Sequence, residues 1–145
     1  MKVSMKVDYG VRALLDLAQH YGEGPVQTAE IAARQAVPEP YLDQLLGSLR
    51  KAGLIRSRRG PQGGHYLAKE PSQISVGAIV DTLEGTAPPI DCVDGTMECP
   101  IASNCTQQDV WKDIDKITHD YLHATSISDL MARQAQRKSR IVYYI

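Results

Sequence analysis

Apolar residues recur with helical spacing through most of this chain. Val11, Leu14, Leu15 and Ala18 stand at i, i+3, i+4 and i+7. They predict a first helix from about Asp8 to Tyr21, stopped by Gly22 and Gly24-Pro25. Thr28 is placed to N-cap a second helix containing Ile31, Ala32 and Ala33. Pro38 and Pro40 then break the chain before a third helix beginning near Tyr41. In it Leu42, Leu45, Leu46 and Leu49 share one face, which leaves Tyr41, Gln44, Ser48 and Lys51 elsewhere. Gly53 follows where a helix end favours positive φ. The period then changes. Ile55 alternates with charged neighbours, and Arg56, Arg58 and Arg59 lead into Gly60-Pro61-Gln62-Gly63-Gly64. Tyr66-Leu67-Ala68 can return as the partner strand of a hairpin.

Helical spacing resumes after the hairpin. Ser75 can cap a fourth helix with Val76, Ile79, Val80 and Leu83 on one face, ended by Gly85. Residues 86–104 are irregular, with three prolines, one glycine and two of the three cysteines. A long helix is expected from about Cys105 to His123. Its apolar positions Val110, Ile114, Ile117 and Tyr121 are spaced four, three and four. Such a seam is too short for an independent coiled coil but long enough to pair with a copy of itself. Ser126 and Asp129 form a capping box for a last, short helix. The tail from Arg137 to Ile145 has no assigned element, and no internal repeat is visible. The expected fold is mainly α with a small β-hairpin wing: a winged helix-turn-helix plus a long dimerisation helix. Its parts are 1–85, the winged helix-turn-helix; 86–104, a cysteine-bearing loop; and 105–145, the long helix and tail.

Charge sharpens this division. The 145 residues carry a net charge of −1, which argues against a chain that is basic all over. Residues 1–70 hold ten Lys/Arg and seven Asp/Glu, whereas residues 71–110 hold six acids and no Lys or Arg. Residues 111–145 hold six bases and four acids. The first part can face phosphates and the middle part cannot. Asp8, Arg12 and Asp16 interrupt the stretch that a secretory signal would need to be apolar. No apolar run approaches membrane-spanning length. A cytoplasmic protein with reduced thiols and no membrane partner is expected.

A helix with a polar outer face followed by a basic hairpin suits DNA. Taken singly, the leucine stripe is core, and three arginines near a turn are an ordinary solvated surface. The order of the parts raises the DNA reading. The glycine run is not a phosphate-binding P-loop, because no Lys-Ser/Thr follows it. The third helix, which bears Tyr41 and Gln44, fits the major groove, and Thr28, Tyr41 and Gln44 are candidate DNA-contacting residues. Arg59 at the hairpin tip can reach the phosphates or the narrow minor groove. Arg50, Lys51, Arg56 and Arg58 are placed to neutralise phosphates.

Cys92, Cys99 and Cys105 follow the pattern C-x6-C-x5-C. Thiolates select zinc, Cu(I) or iron–sulfur clusters. The C-x2–4-C pairs of structural zinc are absent, and the wider spacing fits a cluster of several iron atoms. No Lys or Arg lies within the loop, so the metal itself must stabilise the thiolates. Asp8, Gln108, Asp109, His119 and His123 are candidates for a fourth ligand by chemistry alone. His119 and His123 stand one turn apart on the long helix and suit a shared ligand face, although histidines on an exposed helix are ordinarily plain surface residues. Nothing in the spacing favours a Cys-His-Asp nucleophilic triad, so no enzyme is expected.

The segment YLDQLLGSLRKAGLIRSRRGPQGGHYLA, the following SVGAIVD helix, the three-cysteine loop and the opening MKVSMKVDYGVRALLDLA together resemble the IscR/NsrR/CymR-type winged-helix regulators. The resemblance runs from Met1 to about Arg133. It implies a winged helix with a long dimerisation helix. It also implies a homodimer on a palindromic operator and, in cluster-bearing members, DNA affinity that follows the state of the cluster. By position, Tyr41 and Gln44 fall on the recognition helix and Arg59 on the wing tip. In the IscR-type pattern a histidine lies three residues after the third cysteine, where this chain has Gln108. In the NsrR-type pattern an aspartate of the first helix serves from the partner subunit, and Asp8 matches it. The resemblance therefore implies metal ligation by Cys92, Cys99, Cys105 and Asp8. The first cysteine pair is one residue wider than in the family pattern, which leaves 2Fe-2S and 4Fe-4S both open. Some members lack the cysteines and answer to a protein partner. A cluster-free regulator that senses through thiol oxidation or a partner is thus the alternative, and a small iron–sulfur carrier is a third reading.

Overall fold

In a computed structural model, the described residues are 2–86, 88, 90–93, 95 and 98–143. The expected loop 86–104 is therefore described only in part, since residues 87, 89, 94, 96 and 97 lie outside that set, as do 144 and 145 of the tail. Among the described residues the chain forms six α-helices and one two-stranded antiparallel hairpin.

Helix α1 spans Met5–Gln19. It starts before Asp8 because the Ser4 hydroxyl accepts the Val7 N–H at 3.3 Å. Helix α2 spans Thr28–Gln35, and its N-cap is Gln27 rather than Thr28. Glu30 competes successfully for that end: its carboxylate accepts the Gln27 N–H at 3.1 Å. Thr28 becomes the first helical residue, which leaves its hydroxyl available to other partners. Helix α3 spans Glu39–Lys51 and takes Pro40 into its first turn, where a missing N–H costs nothing. Its four leucines are buried, and Gly53 adopts φ 78°.

Strands β1 (Ile55–Arg58) and β2 (Gly64–Leu67) pair with Ile55 opposite Leu67 and Ser57 opposite His65. A short 3-10 turn, Pro71–Gln73, leads to α4 (Val76–Glu84). The Ser75 hydroxyl caps α4 by accepting the Ala78 N–H at 3.0 Å, and Gly85 ends it at φ 83°. A second 3-10 turn, Ala102–Asn104, precedes α5 (Gln107–Ala124). Helix α6 spans Ile127–Tyr143. Both arms of its capping box are present, at 2.8 Å and 3.1 Å.

At 17 residues α6 is not the short helix expected. Its start is pinned: Ile127 is fully buried, and its N–H donates to the Ile74 carbonyl at 2.9 Å. The rest holds helix-favouring Ala, Gln, Arg and Lys, with no Gly or Pro to stop it. No helix is long and apolar enough to cross a membrane among the described residues.

Helix α1 is the hub, packing against α2, α3, α4, α6 and β2. Gly10 permits the close approach of α4, since a Cβ there would lie 2.4 Å from Leu83 Cδ1. The side of α1 facing α2 buries a carboxylate. Asp16 is wholly inaccessible and accepts from Arg34 Nε at 3.0 Å, Arg34 Nη2 at 2.8 Å and Gln35 Nε2 at 3.0 Å. Burial alone would raise its pKa, but the hydrogen bonds from Arg34 and Gln35 and the Arg34 charge outweigh it. The carboxyl titrates below its ordinary value.

The stabilisation from Asp16 is therefore complete above the ordinary value near 3.8 and is lost as pH falls through the lower folded value. Arg34→Met should strand the buried charge. The Arg34 side chain is 40% exposed, so water moderates the loss to about 2–3 kcal/mol at neutral pH in urea unfolding. The difference from the native chain should narrow through the carboxylate range, because protonation removes the unpartnered charge. A difference independent of pH would assign the loss to packing alone.

Candidate nucleic-acid interface and cysteine pocket

Helices α2 and α3 are joined by residues 36–38, the tight connection of a helix-turn-helix. Ala36 turns the chain at φ 52°, and Val37 is buried with its N–H donating to the Ala32 carbonyl at 3.1 Å. With its leucines inward, α3 leaves Gln44, Arg50 and Lys51 exposed and Tyr41 half-buried. Tyr41 meets the Tyr9 ring edge-on at 5.8 Å, which ties the start of α3 to α1.

The hairpin is locked onto the helix-turn-helix by backbone and side chain. Val26, just before α2, exchanges hydrogen bonds with His65 at 2.8 Å and 2.7 Å. Gly64 lies so close that a Cβ would stand 2.5 Å from the Val26 carbonyl carbon. The Gln27 amide donates to the Pro61 carbonyl at 3.3 Å. Arg56, Arg58 and Arg59 are exposed, and with Arg50 and Lys51 they make no ion pair among the described residues. Five cations free to meet phosphates thus stand on α3 and the hairpin.

A polar chain runs beneath them. The Thr28 hydroxyl donates to Asp43 Oδ1 at 3.1 Å and so accepts from His65 Nε2 at 3.0 Å. His65 Nδ1 then accepts the Ser57 hydroxyl at 2.8 Å. This is the pattern of the neutral imidazole, which the lowered pKa favours. Burial pushes the His65 pKa below its ordinary value and Arg50 adds to the effect, while Asp43 opposes it. Thr28 is thus a brace between α2, α3 and the hairpin. Sequence reasoning missed His65, because its partners lie eight and 37 residues away and no local pattern marks them.

Cys92, Cys99 and Cys105 are free thiols, each half-buried. All three line one pocket of about 120 Å3 together with Gly95, Ala102 and Gln108. Gln108, in the first turn of α5, donates from its amide to the Cys92 carbonyl at 2.8 Å and so holds the loop against the helix. Three cysteines bordering one pocket suit three ligands of an iron–sulfur cluster. The other candidates for a fourth ligand lie elsewhere in the chain. Asp8 sits on α1, paired with Arg12 at 2.8 Å, and Asp109 is exposed. His119 and His123 face Asp81 of α4, with His123 Nε2 at 2.9 Å from its carboxylate.

A helix-turn-helix braced to a basic hairpin defines a winged-helix DNA-binding regulator. Residues 3–133 match the Rrf2 family, described as an iron-dependent transcriptional regulator, and the chain belongs to that family. It is 37% identical over 131 residues to the HTH-type transcriptional regulator IscR of Aliivibrio salmonicida, covering 90% of this chain and 77% of that one. It is also 37% identical over 131 residues to protein Rrf2 of Nitratidesulfovibrio vulgaris, covering 90% and 87%. Among solved structures, T. potens IscR matches with a TM-score of 0.76 and 42% identity over 92% of this chain and 88% of that one. CymR, the global cysteine regulator of B. subtilis, matches with a TM-score of 0.78 and 34% identity over 92% and 98%. The chain is a regulator of transcription and not an enzyme.

Because His65 titrates below the ordinary histidine value near 6.5, the unfolded chain takes up its proton first. Stability should fall as pH drops below that value and level off beneath the folded one. Urea unfolding between about pH 8 and pH 5 should show this slope, and His65→Gln should flatten it. A slope unchanged in the variant would place the titration at another histidine.

Proposed function

We propose that this regulator is a homodimer whose operator affinity is governed by an iron–sulfur cluster held by Cys92, Cys99 and Cys105, with Asp8 of the partner subunit as the fourth ligand. The observation that carries the reading is the convergence of all three cysteines on one pocket at the start of α5. When bound, the cluster supplies an iron- and redox-responsive cross-link between the loop and that helix. The chain's own residues do the rest. Gln108 already holds Cys92 against α5, so a change in the loop reaches the helix directly. On α5, Val110, Ile114, Ile117 and Tyr121 are 39–67% exposed and supply a seam for a second copy.

In that dimer the two α3 helices enter successive major grooves about 34–36 Å apart. Gln44 reads an adenine edge and Tyr41 supports it, while Arg59 enters the minor groove. Arg50, Lys51, Arg56 and Arg58 neutralise phosphates, and Thr28 holds the hairpin in register with α3. A reduced, cytoplasmic setting suits three free thiols.

The alternative is a cluster-free regulator that senses through its thiols or a protein partner. Two observations favour it: the likeness to CymR, and the neutral Gln108 amide at the position where the IscR-type pattern has histidine. The carrier reading has no observation in its favour.

Protein purified without oxygen should be coloured and should contain iron and sulfide in matched amounts. Asp8→Ala should keep the three-thiol site but shift the spectrum and weaken the link between cluster state and DNA affinity. Colourless, iron-free protein would transfer the sensing role to the alternative. Arg59→Ala should weaken operator binding by about 1–3 kcal/mol, read by fluorescence anisotropy at fixed salt. A loss near zero would remove the wing from the groove.

A further inference from the structure

We propose that Asp81, His119 and His123 form a second metal site, for a divalent transition ion of the zinc type, where α4 meets α5. His119 and His123 stand one turn apart on α5 with their rings stacked at 4.2 Å and 29°. Asp81 of α4 faces them, its Oδ2 2.9 Å from His123 Nε2. One ligand atom from each residue lies within 4.8 Å of the others. A tetrahedral ion with bonds of about 2.0–2.2 Å needs them about 3.3–3.6 Å apart, so small side-chain rotations close the set. Two imidazoles and a carboxylate suit zinc, and two histidines at i and i+4 on one helix are a recurrent zinc-binding arrangement.

The surroundings fit an ion as well. The three residues border a cleft of about 520 Å3 that Asp115, Thr118 and Glu84 also line, leaving room and oxygen donors for the remaining position. Asp115 lies one turn before His119 and extends the same face of α5. Lys6 is the one cation on the described wall. The site is built by a close approach of backbone to ring: a Cβ on Gly77 would meet His123 Cδ2 at 2.3 Å. Only glycine there lets the imidazole lie between the helices. An ion held here clamps α4 to α5 at the end remote from Gln108 and the cysteine pocket.

The site uses no cysteine, so its failure and that of the cluster reading are separable. The full-length chain carrying Cys92→Ser, Cys99→Ser and Cys105→Ser is titrated with Co2+, followed by competition with Zn2+. One equivalent of Co2+ should bind with visible ligand-field bands and no sulfur-to-cobalt charge transfer, and Zn2+ should displace it. His119→Ala or His123→Ala should weaken binding by about tenfold or more, while His20→Ala should leave it unchanged. Absence of bound ion, or binding unaltered when both histidines are replaced, overturns the proposal. If the cysteine-free chain does not fold, the native chain is titrated beside the His119→Ala/His123→Ala variant. A non-sulfur cobalt signal confined to the native chain supports the site, and a signal from thiolates alone overturns it.

Discussion

A carboxylate shielded from water decides how the first two helices of this protein meet. Asp16 tolerates burial because Arg34 and Gln35, adjacent at the end of α2, both reach back to it across the interface. Desolvating a charge costs several kcal/mol, and only paired geometry with additional hydrogen bonds offsets it. The requirement selects one register of α2 against α1, where apolar contacts alone would tolerate sliding. Arg12 of α1 reinforces it by donating to the Gln35 carbonyl at 3.2 Å. With the end of α2 held there, Ala36 and Val37 turn the chain into α3 at a set angle. The exposed face of α3 is thereby aimed by a polar contact on the far side of the helix pair.

A second polar contact aims the hairpin. A two-stranded hairpin is marginal on its own and takes its orientation from whatever it is docked against. Here the Val26 bridge supplies backbone pairing, and Ser57, His65, Thr28 and Asp43 join both strands to α2 and α3. Recognition helix and wing therefore move as one body. Cations whose side chains are long and flexible gain a common frame from this.

The parts legible in the sequence are those encoded over a few residues. The leucines of α3, the left-handed Gly53, the Ser75 cap and the Ser126–Asp129 box each declare themselves within one or two turns. The start of α2 lies one residue from the sequence expectation because Gln27 and Glu30 form a better cap than Thr28 alone. The length of α6 is not legible because only its first turns carry a buried face, Ile127, Leu130 and Met131, and the polar run that follows marks none, although the lack of Gly or Pro after Ser126 permits continuation. The cysteines were legible as a cluster, and so was the shared face of His119 and His123. Their surroundings were not: the Asp81 carboxylate lies 42 residues from His123, and the Asp16 pairing spans 18. Side-chain convergence at such separations depends on packing that no local period records.

Helix α5 carries the remaining tension in the fold. None of its residues is buried, yet it bears the apolar seam and meets the cysteine pocket at one end and the histidine pair at the other. Gln108 and His123 are separated by about 22 Å of helix at 1.5 Å per residue, a rigid strut between the two. Covering the seam in a dimer yields about 1.5–3 kcal/mol for each fully exposed side chain, and roughly half of that for residues already partly covered. Across two chains this comes to about 6–12 kcal/mol, close to the estimated 4–15 kcal/mol cost of association. Pairing through so short a seam is near balance. In the proposed dimer, a ligand that braced the loop against the first turn of α5 would act where a small energy changes the geometry of the pair, and with it the spacing of the two α3 helices.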